Sequence, residues 1–304
     1  MNSKIANVAM VEMLPSQPCA QKPRANLIVR ILSSLILAPI FLYVSYVGGA
    51  ALHILITAIF ILALHEWSKI ATYSVFHPVC TLALTGFIMF HFTGYTFLTV
   101  FAGVIVCVAS CYWQKAVLLL PTPQRWGIFV AGVVYVLVAM VFFIDLSTKD
   151  VFSVAQGAHQ NDIYVHPTLF MIWLYFIVWS TDIGAYFAGS LLKGPKLCPR
   201  ISPNKTWAGF IGGIVVALIV GYGFLYMLNI TLVTGISLPC IIVLLSLSAH
   251  SGDLIESAVK RYFKIKDAGQ LIPGHGGVLD RLDSLFLVMI IAAILIYINV
   301  IEYK

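Results

Sequence analysis

Long runs of apolar residues, separated by short polar segments, recur along the chain after its first 26 residues. Most of them approach the roughly 20 apolar residues that an α-helix needs to cross the hydrocarbon core of a bilayer. The pattern therefore predicts an all-α, polytopic integral membrane protein with about nine transmembrane helices. We place these helices at 27–47, 49–65, 78–94, 96–113, 127–145, 168–190, 207–228, 235–250 and 284–301.

Composition supports this interpretation. Of the 304 residues, 61% are hydrophobic and 10% are charged, whereas an ordinary soluble domain has about 45–50% and about 25%. The mean hydropathy is +0.97. So few charged residues could not cover the surface of a soluble fold of this length. A soluble enzyme, a secreted disulfide scaffold and a disordered protein are therefore excluded.

The distribution of charge predicts the orientation of the chain. There are 18 lysines and arginines, and the net charge is +6. With nine helices and the N-terminus inside, all these basic residues except Lys149 and Lys304 fall in inner segments, as the positive-inside rule requires. We therefore expect a cytoplasmic N-terminus and basic loops that face the phosphate groups of membrane lipid, with no nucleic acid as a partner.

The chain divides into three parts by chemistry. Residues 1–26 are polar and carry no apolar segment followed by a cleavage site, so we interpret them as a cytoplasmic tail and favour a bacterial inner membrane. Residues 27–167 hold N-terminal transmembrane helices with scattered polar positions. Residues 168–304 form the predicted catalytic region, with cytoplasmic loops at 191–206 and 251–283. The outer loop 146–167 is assigned no chemistry.

Acidic residues are costly in a membrane and often mark functional sites. In the N-terminal half, Glu66 is the one acidic residue near the inner face, and an anchoring role at a helix end is favoured over a direct role. Asp182 stands among small and apolar residues. A salt bridge to a lysine of another helix and a place in a metal or phosphate site remain equal alternatives for it. The acidic residues of the C-terminal half on or beside the inner face are Asp182, Asp253, Glu256, Asp267, Asp280 and Asp283.

A basic segment follows at 196–207. Pro199 and Pro203 exclude a helix through it. Its cations and its neutral donors together suit phosphate oxygens, although an ordinary inner loop that touches anionic lipid is an equal alternative. Thr206 or Asn204 could also cap the next helix. The cations are Lys196, Arg200 and Lys205, and the neutral side chains are Ser202, Asn204 and Thr206.

The most informative segment is 251–284. If 252–263 is helical, then Asp253, Glu256 and Lys260 share one face, although Glu256 and Lys260 could form a plain helix pair. Asp280 and Asp283 are also three residues apart, at the start of the last helix. Between these two acidic helix faces lies a turn with Gly274, His275, Gly276 and Gly277, where glycines allow close backbone approach and an anion-binding nest. Carboxylates beside such cations suit a Mg²⁺-assisted phosphoryl or nucleotidyl transfer site.

These motifs resemble those of a known family. The run from Ser257 through Pro273-Gly-His-Gly-Gly-Val-Leu-Asp-Arg-Leu-Asp283 is similar to the signature of the phosphatidate cytidylyltransferases, the CDP-diacylglycerol synthases. Asp182-Ile-Gly-Ala-Tyr186 and Pro199-Arg-Ile-Ser-Pro-Asn-Lys-Thr-Trp207 resemble the two preceding motifs of that family. One departure is His250, ahead of Ser251-Gly252-Asp253, which we treat as neutral.

The resemblance implies transfer of CMP from CTP to phosphatidic acid, with release of pyrophosphate and dependence on Mg²⁺. It also implies a membrane-embedded homodimer whose site opens to the cytoplasm and to lipid. Whether a second metal or a monovalent ion takes part is left open. By motif, the metal ligands would be Asp253 and Asp280, then Asp283 and Asp182. Catalysis would rest on Asp280, Asp253, Lys205 and Lys260, and substrate binding on Arg200, Ser202, Asn204, Lys205, Lys260, Arg261, His275, Gly276 and Gly277.

The nucleophile in such a reaction is a lipid phosphate oxygen that is already anionic, so no Ser/His or Cys/His pair is required. We therefore expect direct in-line attack at the α-phosphorus, with positioning and charge neutralisation supplying most of the rate. The alternatives are another CTP-dependent lipid enzyme, either a polyprenol or phytol kinase or an ether-lipid cytidylyltransferase, and, less favoured, a secondary transporter. A lipid-binding scaffold without activity is disfavoured because every carboxylate of the motifs is present.

Overall fold

The computed structural model describes residues 27–72, 123–148, 152–154, 168–232, 234–269, 271 and 276–301. This part of the chain is mostly helical. Its helices are α1 (Leu27–Val47), α2 (Gly49–Thr72), α3 (Pro123–Leu146), α4 (Thr168–Leu192), α5 (Trp207–Leu228), α6 (Leu238–Tyr262) and α7 (Leu279–Tyr297). Its short strands are β1 (Phe152–Val154), β2 (Lys196–Cys198), β3 (Ser202–Thr206) and β4 (Ile230–Leu232).

Five of these helices contain stretches long and apolar enough to cross a membrane, which confirms a polytopic membrane protein. The stretches are Gly49–Ile70, Gly127–Leu146, Thr168–Leu192, Trp207–Leu228 and Leu238–Tyr262. The predicted helices at 78–94 and 96–113 and the tail 1–26 lie outside the described residues, so the count of nine and the cytoplasmic N-terminus stay predictions.

Two predicted loops have regular structure. The helix predicted at 235–250 continues through the following polar residues to Tyr262, because helical hydrogen bonding does not stop where hydropathy falls. The segment 191–206, predicted as a loop, contains the antiparallel pair β2–β3, in which Lys196 faces Thr206. The prolines do exclude a helix there, but Pro203 is compatible with a short hairpin strand. A second antiparallel pair joins β1, which lies in the 146–167 segment, to β4, which directly follows α5.

Small residues let α4 and α5 pack closely, as is common between helices in membranes. A Cβ atom added to Gly184 of α4 would stand 2.8 Å from the carbonyl oxygen of Gly212 of α5. Farther along this contact, Trp173 Nε1 donates to the carbonyl oxygen of Gly221 at 3.1 Å. The close packing fixes the position of the polar end of α4, where Asp182 lies.

The N-terminal helices support α7. The rings of Phe60 on α2 and Phe286 on α7 stack with centroids 4.9 Å apart. Tyr297, in the last turn of α7, donates to Asp145 Oδ2 of α3 at 2.9 Å. These two contacts attach α7, which carries Asp280 and Asp283 at its other end, to the described part of the N-terminal half.

Candidate active site

One cavity of about 680 Å³ lies where the polar ends of α4, α6 and α7 meet the β2–β3 hairpin and the start of α5. This volume is within the range of about 300–1,000 Å³ that is usual for small-molecule sites. It combines carboxylates, cations and an aromatic wall. Its polar lining consists of Asp182, Tyr186, Ser190, Asn204, Lys205, Thr206, His250, Asp253, Lys260, Asp280, Arg281, Asp283 and Ser284.

All four aspartates predicted as metal ligands line this cavity, together with Asn204, Lys205 and Lys260. Asp182 comes from α4, Asp253 from α6, and Asp280 and Asp283 from the first turn or two of α7. Carboxylates from three helices therefore face one space.

The β2–β3 hairpin ends in Lys205, which reaches the cavity, and Thr206, which caps α5. Thr206, whose backbone is extended, accepts a hydrogen bond from the backbone N–H of Gly209 at 3.1 Å and so begins α5. Of the two predicted caps, Thr206 is therefore the one used. The preceding residue, Lys205, places its Nζ atom 2.7 Å from Asp253 Oδ2. This ion pair joins the hairpin to α6.

A second lysine joins α6 to α7. Lys260 Nζ lies 3.1 Å from Glu256 Oε1, which confirms the helix pair, and it also donates to Asp280 Oδ1 at 2.8 Å. Asp280 Oδ2 accepts hydrogen bonds from the backbone N–H groups of Ala268 and Gly277, each at 3.0 Å. Burial tends to raise the pKa of Asp280, but the hydrogen bonds from Lys260 and these amides outweigh it and lower the pKa. Asp280 is thus held as a carboxylate.

Asp283 is in a more negative environment. Burial raises its pKa, and the nearby carboxylate of Asp253 raises it further. Asp182 acts in the same direction, while the backbone N–H of Ser284, which donates to Asp283 Oδ1 at 2.7 Å, opposes the shift. Three aspartates from three helices therefore repel one another across the cavity, and an added cation would relieve that repulsion.

The carboxylates fit Mg²⁺ by donor type, since they offer the hard oxygen ligands that this ion prefers. Within the described ranges, no group of three or more His, Cys, Asp or Glu side chains is placed to hold a metal ion by itself. A complete protein cage is not needed, because Mg²⁺ is usually bound by one or two carboxylates together with water and substrate phosphates.

Several predicted binding residues do not line the cavity. Arg261 is exposed, and its Nε and Nη1 atoms donate to the carbonyl oxygens of Ile201 and Ile265, so it fastens the hairpin to the end of α6. Arg200 is exposed and Ser202 is partly exposed on the hairpin. Gly276 and Gly277 precede α7, and Gly277 contributes its amide to Asp280. His275 lies outside the described residues.

Three features of this site were not predicted from the sequence. His250 lines the cavity with its ring beside Phe210, and its three-residue spacing from Asp253 was the available signal. Arg281 also lines it, next to the predicted Asp280. Gly252 lies against the backbone of Asp283 and Ser284 on α7, a contact that sequence alone does not reveal.

Known proteins with similar sequences belong to the family that the motifs resemble. The model of the cytidylyltransferase family matches residues 28–299 of the chain. A protein named phosphatidate cytidylyltransferase from Brucella suis biovar 1 (strain 1330) is 36% identical over 279 residues, which is 90% of this chain and 93% of that relative. A protein of the same name from Staphylococcus aureus (strain COL) is 38% identical over 169 residues, or 54% of this chain and 56% of that relative. These matches confirm the resemblance inferred from the motifs.

Proposed function

Because the chain belongs to the cytidylyltransferase family, we propose that it transfers CMP from CTP to phosphatidic acid and releases pyrophosphate. The observation that carries this proposal is the cavity in which Asp182, Asp253, Asp280 and Asp283 face Lys205, Lys260 and Arg281. Two polyanionic substrates can meet only where positive charge compensates for their repulsion, and this cavity offers both cations and ligands for a further cation.

We assign the binding of CTP phosphates to Lys205 and Arg281, with Asn204 as a neutral donor. Lys205 comes from the hairpin and Arg281 from α7, so the two cations approach the cavity from different elements. Lys205 pairs with Asp253 at 2.7 Å. A triphosphate oxygen is a competing partner for that ammonium group, and its arrival would release Asp253.

Asp253 and Asp280 are the residues we expect to hold Mg²⁺, with Asp283 and Asp182 nearby. When bound there, the ion would supply charge neutralisation for the triphosphate and the leaving pyrophosphate. Lys260 and the amides of Ala268 and Gly277 fix the orientation of Asp280, so the carboxylate is in place before substrates arrive.

The residues lining the cavity are suited to positioning the reactants. The phosphate of phosphatidic acid is anionic near neutral pH and needs no residue to remove a proton. We therefore propose direct in-line attack on the α-phosphorus, with no covalent enzyme intermediate. Holding the two reactants in line can by itself supply several kcal/mol of the barrier reduction, up to about 7–11 kcal/mol in well-oriented systems.

The lipid substrate needs access from the membrane. Tyr186 lines the cavity and is 71% exposed, and Phe187 and Ile183 on the same helix are also exposed. In an integral membrane protein such apolar side chains face lipid, so we propose that the diacylglycerol part lies along α4. We further propose that the protein lies in a bacterial inner membrane, that the cavity opens on the cytoplasmic side, and that the enzyme is a homodimer.

The test is an assay of the detergent-purified protein with CTP labelled at the α-phosphate and with phosphatidic acid, with and without Mg²⁺. The proposal predicts labelled CDP-diacylglycerol and one pyrophosphate per turnover, only when Mg²⁺ is present. A kinase would leave labelled CDP instead. A transporter would release no pyrophosphate, and either result would refute the proposal.

A further inference from the structure

Glu66 of α2 is buried and lies beside the first residues of α7. Glu66 is only 1% exposed. Its Oε2 atom accepts the backbone N–H of Leu279 at 2.8 Å, across 213 positions of the chain. The anchoring role favoured from the sequence is therefore confirmed, and the anchored residue is the neighbour of Asp280.

Glu66 supplies a cap that α7 does not provide for itself. The first backbone N–H groups of a helix have no partner within the helix. Val278, the residue before α7, makes no capping hydrogen bond with its side chain. Glu66, which belongs to α2, provides this cap, and its negative charge also suits the positive end of the α7 dipole.

The same carboxylate also fills the space between the two segments that hold Asp280. A Cβ atom added to Gly277 would stand 2.6 Å from Glu66 Oε2 and 3.0 Å from Asp280 Oδ2. A Cβ atom added to Gly269 would collide with Glu66 Oε1. Two backbone amides donate to Asp280: those of Gly277 and of Ala268, which directly precedes Gly269. Glu66 therefore contacts the backbone on both sides of that carboxylate.

We propose that Glu66 is a positioning residue for the metal-binding carboxylate of Asp280: by capping α7 and packing against Gly269 and Gly277, it sets where Asp280 points. The inference rests on the proposed function, because it takes Asp280 as a ligand of the divalent ion. Glu66 does not line the cavity, so its role is indirect. Through Glu66, the N-terminal half of the chain would help to position a residue of the site.

The test compares Glu66→Ala with Glu66→Gln, which keeps an oxygen that can accept from Leu279. The matched control is Tyr297→Phe, which removes the 2.9 Å hydrogen bond at the opposite end of α7. Three quantities are measured on each purified variant: Mn²⁺ binding by electron paramagnetic resonance with CTP but without lipid, hydrogen exchange of the amides at 276–284, and the Mg²⁺ concentration that gives half-maximal turnover.

We expect Glu66→Ala to weaken Mn²⁺ binding and to raise the half-saturating Mg²⁺ concentration by about tenfold. This is the lower end of the loss seen when a direct hydrogen-bond partner of a metal ligand is removed, because Glu66 acts on Asp280 through the backbone of Leu279. Exchange at 276–284 should accelerate. Glu66→Gln should stay within about threefold of wild type in metal binding, since the acceptor and its contacts remain. Tyr297→Phe should lower thermal stability without any change in metal binding.

Wild-type Mn²⁺ binding and Mg²⁺ dependence in Glu66→Ala would overturn the inference, as would equal effects of Glu66→Ala and Tyr297→Phe on metal binding. If Glu66→Ala does not fold, Glu66→Asp takes its place, because its shorter side chain cannot keep the contact with Leu279. Failure of wild type to transfer CMP would refute the proposed function separately, while metal binding and hydrogen exchange would still test the role of Glu66.

Discussion

The contact between Gly252 and α7 offers a sharp test of how closely the aspartates must be held. Gly252 precedes Asp253 on α6 and lies against the backbone of Asp283 and Ser284. An alanine there would bring a Cβ atom to 3.2 Å from Ser284 Cα and into collision with the carbonyl oxygen of Asp283. Relaxed carbon contacts are about 3.5–4.0 Å, so α6 and α7 would have to separate by roughly half an ångström or more.

Two effects of Gly252→Ala follow from this separation. Overpacking of a close helix contact costs about 1–3 kcal/mol of stability. The separation also moves Asp253 away from Asp283 at the cavity, and a displacement of about 1 Å can lower a rate by about 100-fold. A separation of about half that distance should lower kcat/KM for CTP by about tenfold, which is more than the loss of stability explains at a temperature where the variant is folded.

The assay is steady-state transfer from labelled CTP at a temperature where the variant is fully folded, with the melting temperature measured in the same detergent. Gly223→Ala is the matched control, since it is also a glycine within a helix but its added Cβ atom would meet nothing within 4 Å. The control should keep wild-type kcat/KM. If kcat/KM of Gly252→Ala stays within threefold of wild type, then the helices tolerate the separation without loss of function and the aspartates need not be held this closely.

Three further predictions concern the site itself. Asp280→Asn should abolish turnover while the protein still elutes as wild type in size-exclusion chromatography, and near-normal Mg²⁺-dependent activity would remove Asp280 from the metal site. Lys205→Met should raise the KM for CTP by about tenfold or more, since a charged hydrogen bond is worth about 1.5–3 kcal/mol, and a KM within twofold of wild type would contradict its assignment to the triphosphate. CTP with a chiral α-thiophosphate should react with inversion at phosphorus, as read by ³¹P NMR, whereas retention would indicate a covalent intermediate.

Hydropathy predicted the helices where the chain is apolar throughout. The helix predicted at 207–228 has those bounds in the structure, because its start is marked by the cap at Thr206 and its end by Asn229 in the left-handed conformation. Hydropathy failed for α6, which was predicted to end at 250 and runs to Tyr262. A helix that continues beyond an apolar stretch carries a helical periodicity of charges rather than an apolar signal, and the spacing of Asp253, Glu256 and Lys260 was the evidence for it.

Local spacing also predicted much of the site. Asp280 and Asp283 both reach the cavity, and so does Asp253. Partners that belong to distant segments could not be read in this way. Lys260 was interpreted as the partner of Glu256, which is one turn away, but its shorter contact is with Asp280 across the gap between α6 and α7.

Two residues illustrate why long-range contacts stay hidden in a single sequence. Glu66 was expected to anchor a helix end, but nothing in its neighbourhood indicated that the helix would be α7. Gly252 is one glycine among 22 in the chain, and its importance comes only from the backbone that faces it. The local sequence likewise gave no sign that Arg261 donates to the carbonyl oxygens of Ile201 and Ile265.

The central claim is that Asp253 and Asp280, from different helices, act together on one divalent ion with CTP. It is tested most directly by titrating Mn²⁺ into wild type, Asp253→Asn, Asp280→Asn and the double variant, each with CTP, under electron paramagnetic resonance. We expect each single substitution to abolish the same tight Mn²⁺ site and the double variant to bind Mn²⁺ no more weakly than either single variant. Wild-type Mn²⁺ affinity in either single variant, or two independent losses that add, would contradict it.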